Sequence, residues 1–370
     1  MKIAQVTPLY EAVPPKLYGG TERVVAHLTD ALVELGHDVT LFAAADAETR
    51  ARLIPVRDQA IRLDPNPLKS DLAAHMSQLA EVLKRVEDFD VIHFHTDMIH
   101  FPFFARYADR TVTTLHGRLD LKDLPGVYER WSEFGLVSIS DDQRRPLPLA
   151  NWKATVHHGM PGDLYKFSET PRGYLAFLGR ISPEKRPDRA IEIATKLNKP
   201  LKMAAKVDPQ DKVYWETVIR PMVEANPLVE FVGEIGDHQK SAFLGGAEAL
   251  LFPIDWPEPF GLVMIEAMAC GTPVVAFRCG SAPEIVEDGA TGYLVDTLEQ
   301  AIAAAGRAHM LDREAIRARF ELRFSATAMA RRYLDVYGDL LARRPFAEEP
   351  LETVVTPLRP REDRSFASLA

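Results

Sequence analysis

The sequence predicts an α/β protein built from two Rossmann-like domains, each a parallel sheet covered by helices, facing one another across a cleft. Short apolar runs alternate with helical patterns through the first half of the chain. The same plan starts again after a connector at 159–172 that carries Pro161, Gly162, Pro171 and Arg172. A length of 370 residues accommodates both units, since domains commonly run to about 100–200 residues.

In the first half the expected strands are 2–7, 38–43, 91–95, 111–116, 136–140 and 155–158. Between the first two lies a helix that Thr21 is placed to cap. Val24, Leu28, Ala31, Leu32 and Leu35 form its buried stripe, and Gly36 ends it. Strands in regular alternation with helices imply a parallel sheet with both faces covered. In the second half the expected strands are 174–178, 201–205, 229–232, 249–252, 274–277 and 293–295, with helices such as 188–197 and 262–269 between them. After Thr297 the pattern is helical, and Met329, Tyr333, Val336, Tyr337 and Leu340 share one helix face. The expected division is therefore a first domain at 1–165, a second at 166–324, a helix at 325–343 and a weakly ordered, proline-rich tail at 344–370.

Composition narrows the function. A formal charge of −9 with no long Lys/Arg run argues against a nucleic-acid binder, because such binding draws on cations that neutralise phosphates. Two cysteines, Cys270 and Cys279, allow neither a disulfide framework nor a cysteine-rich zinc site, and fit a reducing, cytoplasmic setting. The chain enters a strand directly after Met1, without the apolar stretch of a signal peptide. No run approaches the roughly 18 apolar residues of a membrane span, so any membrane contact is expected to be peripheral.

Open α/β sheets bind ligands beyond the carboxyl ends of their strands, and four segments sit there. Glu258-Pro259-Phe260-Gly261-Leu262 leads into a helix near Gly261, with Glu266 about one turn inside. The amides of Phe260, Gly261 and Leu262 would offer an anion site with a favourable helix dipole. Glu266, in an otherwise apolar helix, can accept two ribose hydroxyls. Arg180 and Lys185 follow the first strand of the second domain, as a guanidinium fork and an ammonium suited to a diphosphate. Gly19 and Gly20, in Tyr18-Gly19-Gly20-Thr21-Glu22, allow close backbone approach. His116 ends a strand, where it can bond a sugar hydroxyl. The bland readings are a Pro-Gly turn, a capped surface loop, a flexible turn and a satisfied strand-end histidine. The glycine fingerprint of a dinucleotide site is missing. Asp88-Phe89-Asp90 resembles a metal-binding Asp-x-Asp but precedes a strand, at the wrong end of the sheet. His93 and His95 lack a third ligand and are expected to pack; His157-His158 is expected to be structural.

Together these stretches resemble the family 4 retaining glycosyltransferases of GT-B fold, over roughly residues 2–341. The most specific part runs from Glu258 to Val295. It includes Glu266-Ala267-Met268-Ala269-Cys270-Gly271-Thr272-Pro273 and Gly280-Ser281-Ala282-Pro283-Glu284. Pro14-Pro15-x-x-Tyr18-Gly19-Gly20 looks like a bacterial subgroup that includes glucosyltransferases acting on pterin-like acceptors. The resemblance implies that Glu266 holds the ribose and that Arg180 and Lys185 bind the leaving diphosphate. It also implies that Glu258 contacts the transferred sugar beside the 260–262 amides. Gly20 admits the diphosphate, and His116 lies near the sugar 6-hydroxyl. His158-Gly159 stands where many relatives carry Asn-Gly. The expected activity is metal-independent, retaining transfer of a hexose from a nucleotide sugar to an unidentified hydroxyl acceptor. UDP-glucose is the expected donor and GDP-mannose the alternative. An epimerase or hydrolase on the same fold, or a non-catalytic nucleotide-sugar-binding module, remains as a rival reading.

Overall fold

A computed structural model describes residues 1–16, 19–66 and 68–342. The first sheet has seven strands: β1 (Lys2–Val6), β2 (Asp38–Ala43), β3 (Arg52–Pro55), β4 (Val91–Phe94), β5 (Thr111–Thr114), β6 (Gly135–Ser138) and β7 (Trp152–Thr155), in the order β3-β2-β1-β4-β5-β6-β7. The second has six: β8 (Tyr174–Arg180), β9 (Leu201–Lys206), β10 (Val229–Gly233), β11 (Ala247–Phe252), β12 (Val274–Phe277) and β13 (Gly292–Val295), in the order β10-β9-β8-β11-β12-β13. Among the described residues every strand pairing is parallel, such as Gln5 opposite His93 and Leu251 opposite Val275. In each sheet the strand order reverses beside the first strand of the domain, which opens a crevice there.

Strand alternation sends neighbouring residues to opposite cores. Val274 and Ala276 join one cluster of the second domain, and Val275 and Phe277 join the other. Ile3 faces one layer of the first domain, and Ala4 and Val6 face the opposite one. The helices that matter for the site are α1 (Gly20–Glu34), α2 (Asp237–Gly245), α3 (Leu262–Ala269), α4 (Arg313–Phe324) and α5 (Ala326–Ala342). α5 returns from the second domain to the first. Its Met329, Tyr333, Val336 and Tyr337 pack with Val24, Leu28 and Leu32 of α1. Where it leaves, Met160 on the outgoing connector bridges Ser325, and the amide of Ala326 donates to the Met160 carbonyl at 2.8 Å. Two chain crossings thus lie side by side between the domains.

Three expectations are corrected. The edge strand β3 was not anticipated: Arg-Leu-Ile-Pro is short, ends in proline and has no alternation. The last strand of the first sheet is Trp152–Thr155 rather than 155–158. It too is an edge strand, largely half-buried, so its apolar pattern is weak. Thr21 does not cap α1; the capping position is Gly19, and no side chain bonds there. Residue 343 and the tail expected at 344–370 lie outside the described residues. Among the described residues, no helix is long and apolar enough to cross a membrane.

Candidate active site

A cavity of about 790 Å³ lies between the two domains at the carboxyl ends of both sheets. All ten residues expected at the site line it: Gly19, Gly20 and His116 from the first domain, and Arg180, Lys185, Glu258, Phe260, Gly261, Leu262 and Glu266 from the second. Tyr18 lies outside the described residues.

The loop before α3 is set by two glycines. Gly261 has φ +77°, and a Cβ there would meet Phe252 Cζ and Met264 Cε at 2.9 Å. Gly280 has φ +57°, and its Cβ would strike the Glu258 amide nitrogen at 2.3 Å. The lack of a side chain at Gly280 lets the 280–281 turn pack directly onto the loop. Ser281 donates its amide to the Glu258 carbonyl at 3.0 Å and its hydroxyl to the Phe260 carbonyl at 2.7 Å. The start of α3 thereby faces the cavity: the Met264 amide bonds the Gly261 carbonyl at 3.0 Å, and the earlier amides have no partner within the helix. Gly20 of the first domain faces it: a Cβ there would lie 3.8 Å from Leu262 Cδ1. Gly19 is less open than expected, because its Cβ position is filled by Pro15 at 2.9 Å and Glu11 at 3.1 Å.

Lys185 ends a short 3-10 turn, Pro183–Lys185, after β8. The turn is tied to the opposite loop by the Asp255 amide on the Glu184 carbonyl at 2.9 Å and by Arg186 on Asp255 at 3.0 Å. This places the Lys185 ammonium in an ion pair with Glu258 and 5.1 Å from the centre of the Trp256 ring. Arg180 closes β8. Its guanidinium lies 3.0 Å from Glu184, 3.6 Å from Asp208 and 3.5 Å from Asp211. A ligand phosphate therefore competes with three carboxylates for Arg180 and with one for Lys185.

Glu266 is only 3% exposed. Its Oε1 receives Lys240 at 2.7 Å and lies 3.2 Å from the Tyr165 hydroxyl, while Oε2 takes neither contact. Tyr165 also lies 3.2 Å from Asp237, and Asp237 pairs with Arg23 of α1, so the network spans both domains. Burial pushes Asp237 up, but Arg23 and Lys240 outweigh it and hold the carboxyl below its usual range. Burial beside the Glu266 and Asp237 carboxylates pushes the Tyr165 phenol far up, so it stays a neutral donor.

On the first-domain wall, His116 lies two residues beyond β5. Burial pushes its pKa down to about 3, so the ring is neutral. His158, expected to be structural, also lines the cavity. It stacks on His116 at 5.3 Å and packs on Phe260 at 4.7 Å. His157 bonds Glu284 at 3.1 Å, and Glu284 also accepts the amides of Asp141 at 2.7 Å and Asp142 at 2.8 Å. One carboxylate of the second domain thus caps a short helix of the first. The Asp88–Asp90 turn is remote: Asp90 accepts the Lys2 amide at 2.7 Å, at the amino end of β1. Among the described residues, no group of three or more His, Cys, Asp or Glu is arranged to hold a metal ion.

Arg23, Asp237, Lys240, His158 and Trp256, which also line the cavity, were missed as site residues. None carries a local pattern that separates it from surface charge or core aromatic, and only tertiary packing joins them.

Two family descriptions match consecutive parts of this architecture: "Glycosyltransferase Family 4" over residues 18–147 and "Glycosyl transferases group 1" over residues 166–323. The chain is a family 4 glycosyltransferase. This glycosyltransferase is 27% identical over 355 residues to the phosphatidyl-myo-inositol mannosyltransferase of Mycobacterium leprae, covering 86% of this chain and 90% of the relative. It is 25% identical to the D-inositol 3-phosphate glycosyltransferase of Mycolicibacterium smegmatis, covering 88% of each. Among solved structures, AviGT4, a glycosyltransferase involved in avilamycin A biosynthesis, superposes with a TM-score of 0.70 at 23% identity, over 93% of this chain and 98% of that one. HepE of Anabaena in complex with UDP and glucose gives 0.68 at 18% identity, over 92% and 100%. These likenesses show the GT-B fold: two Rossmann-like domains with the cavity between them.

Proposed function

We propose that this glycosyltransferase moves a hexose from a nucleoside diphosphate sugar to an acceptor hydroxyl, with retention and without a metal. The observation that carries the reading is the convergence of Lys185, Glu258, the first turn of α3 and Glu266 on one interdomain cavity. In this assignment Glu266 Oε2 takes the ribose hydroxyls. Lys185, Arg180 and the α3 amides offset charge growing on the diphosphate, and preorganised electrostatics of this kind is usually the largest catalytic contribution. Glu258 orients the transferred sugar. The bond from the anomeric carbon to the β-phosphate oxygen breaks, and the acceptor oxygen bonds the same face of that carbon. The acceptor proton leaves on the phosphate oxygen. Two protein cations perform the neutralisation that a divalent ion would otherwise supply. Closure of the domains over the donor completes the site, with the acceptor entering from the first-domain loops.

UDP-glucose is the proposed donor, supported by the UDP and glucose held by HepE. The mannosyltransferase relative supports GDP-mannose as the second reading. A thermal-shift panel of UDP-, GDP- and ADP-sugars separates them. A donor at 100 times its Kd adds about 2.7 kcal/mol of stability, so one base should raise Tm clearly above the others. Transfer with that donor should persist in EDTA and yield the α-linked product from an α-linked donor. Sugar release or epimer formation without acceptor would favour a hydrolase or an epimerase instead.

A further inference from the structure

A continuous line of buried polar groups runs from the cavity into the core of the first domain. His116 Nε2 lies 2.9 Å from His95 Nδ1, and His95 Nε2 lies 2.8 Å from the Gln5 side-chain oxygen. Gln5 Nε2 donates to the Tyr337 hydroxyl at 3.2 Å, and that hydroxyl lies 2.8 Å from His93 Nδ1. His93 Nε2 lies 2.7 Å from Thr114, whose hydroxyl lies 2.9 Å from that of Tyr333. The sequence dictates this arrangement. Gln5, His93 and His95 alternate onto the same layer of β1 and β4, beneath the α5 helix that brings Tyr333 and Tyr337.

The orientation of Gln5 sets the direction of every bond in the line. A carboxamide oxygen only accepts, so His95 carries its hydrogen on Nε2. Burial pushes His95 and His93 well below the ordinary histidine range, and each ring has one N–H. His95 Nδ1 is then a bare lone pair, and His116 must supply the hydrogen from its own Nε2. His116 Nδ1 is left as an acceptor, and it is buried without a partner among the described residues. The opposite polarity would leave an orphaned N–H at that atom, which native structures rarely tolerate. At the other end, Gln5 donates to Tyr337, Tyr337 to His93, His93 to Thr114 and Thr114 to Tyr333.

We propose that Gln5 and His95 are positioning residues that lock His116 in the Nε2–H tautomer, so that this ring meets the transferred sugar as a hydrogen-bond acceptor. The inference rests on the nucleotide-sugar reading above for the identity of the ligand, but the tautomer is a property of the protein alone. A sugar hydroxyl that reaches His116 Nδ1 as the domains close over the donor would be accepted there; a fluorine at the same carbon, which cannot donate, would not. Selection between such donors should amount to about 2- to 12-fold in kcat/KM.

Nitrogen-15 NMR of the full chain, labelled in its histidine rings, decides the question. His116→Asn serves only to assign the signal. The expected spectrum shows His116 and His95 protonated at Nε2 alone. Gln5→Leu should give His116 a mixture of tautomers and remove the preference for the hydroxyl donor over the fluorinated one. Gln5→Glu, which keeps an acceptor opposite His95 Nε2, should retain both. His116 as the Nδ1–H form in the wild-type protein overturns the inference, as does a Gln5→Leu spectrum with an unchanged His116 signal. If neither variant folds, the wild-type spectrum still decides. An Nε2–H ring in a protein that transfers no sugar would overturn the functional reading instead.

Discussion

Replacing Lys185 by alanine is expected to lower kcat by about 10²–10³-fold, the usual cost of losing one preorganised donor to a developing anion. The Lys185 ammonium is paired with Glu258, and both side chains are about one-sixth exposed or less. The ammonium is thus largely desolvated, and the donor phosphate takes it over from Glu258 to receive the charge that grows as the bond breaks. The loss should fall on kcat more than on KM, since charge on the leaving oxygen grows only in the transition state. Arg180→Ala should act in the same direction. Steady-state kinetics beside a thermal melt reads both effects. The melt matters because Lys185→Ala strands the Glu258 carboxylate, and removing one partner of a buried pair can itself destabilise by about 3–5 kcal/mol. Lys185→Met keeps the stem and should show the same kinetic loss. Wild-type turnover in both the Lys185 and Arg180 variants would refute their assignment.

Glu266→Ala should act on donor binding instead. Oε1 is committed to Lys240, with the Tyr165 hydroxyl 3.2 Å away, while Oε2 takes neither contact. A hydrogen bond to a charged group contributes about 1.5–3 kcal/mol, so losing one ribose contact weakens donor binding by about 10- to 150-fold. Calorimetric titration with the donor measures it. Lys240 retains Asp237 at 3.3 Å in the variant, so the second domain should remain folded. Glu266→Gln keeps an acceptor oxygen and should fall between the two. Unchanged affinity in Glu266→Ala would remove the ribose assignment.

The fold was legible because both of its signals are local. The apolar run Val274–Phe277, buried on both faces of its sheet, and the apolar stripe of α1 are written in consecutive residues. The edge strands Arg52–Pro55 and Trp152–Thr155 were missed or shifted because, partly exposed at the sheet edges, they lack the continuous apolar run of a strand buried on both faces. The candidate site was legible where chemistry-bearing residues follow a strand end, as with Arg180, Lys185 and the Glu258–Glu266 segment. What pairs with them was not. Asp208 and Asp211 approach Arg180 from the loop after β9, Lys240 reaches Glu266 from α2, and Arg23 reaches Asp237 from the other domain. Such partners are chosen by tertiary packing, and a charged residue on a loop reads the same whether it faces water or a cleft. His95 and Gln5 show the same limit: in sequence they are strand residues, and only the parallel register of β1 with β4 brings them within the line behind His116.

The measurement that bears most directly on the central claim is a crystal structure of the protein with UDP. The account predicts the β-phosphate within about 2.7–3.2 Å of Lys185 Nζ and of the first-turn amides of α3, with the ribose hydroxyls on Glu266. A diphosphate bound elsewhere on the protein, with Lys185 still closed on Glu258 and Glu266 bonded only to Lys240 and Tyr165, would contradict it.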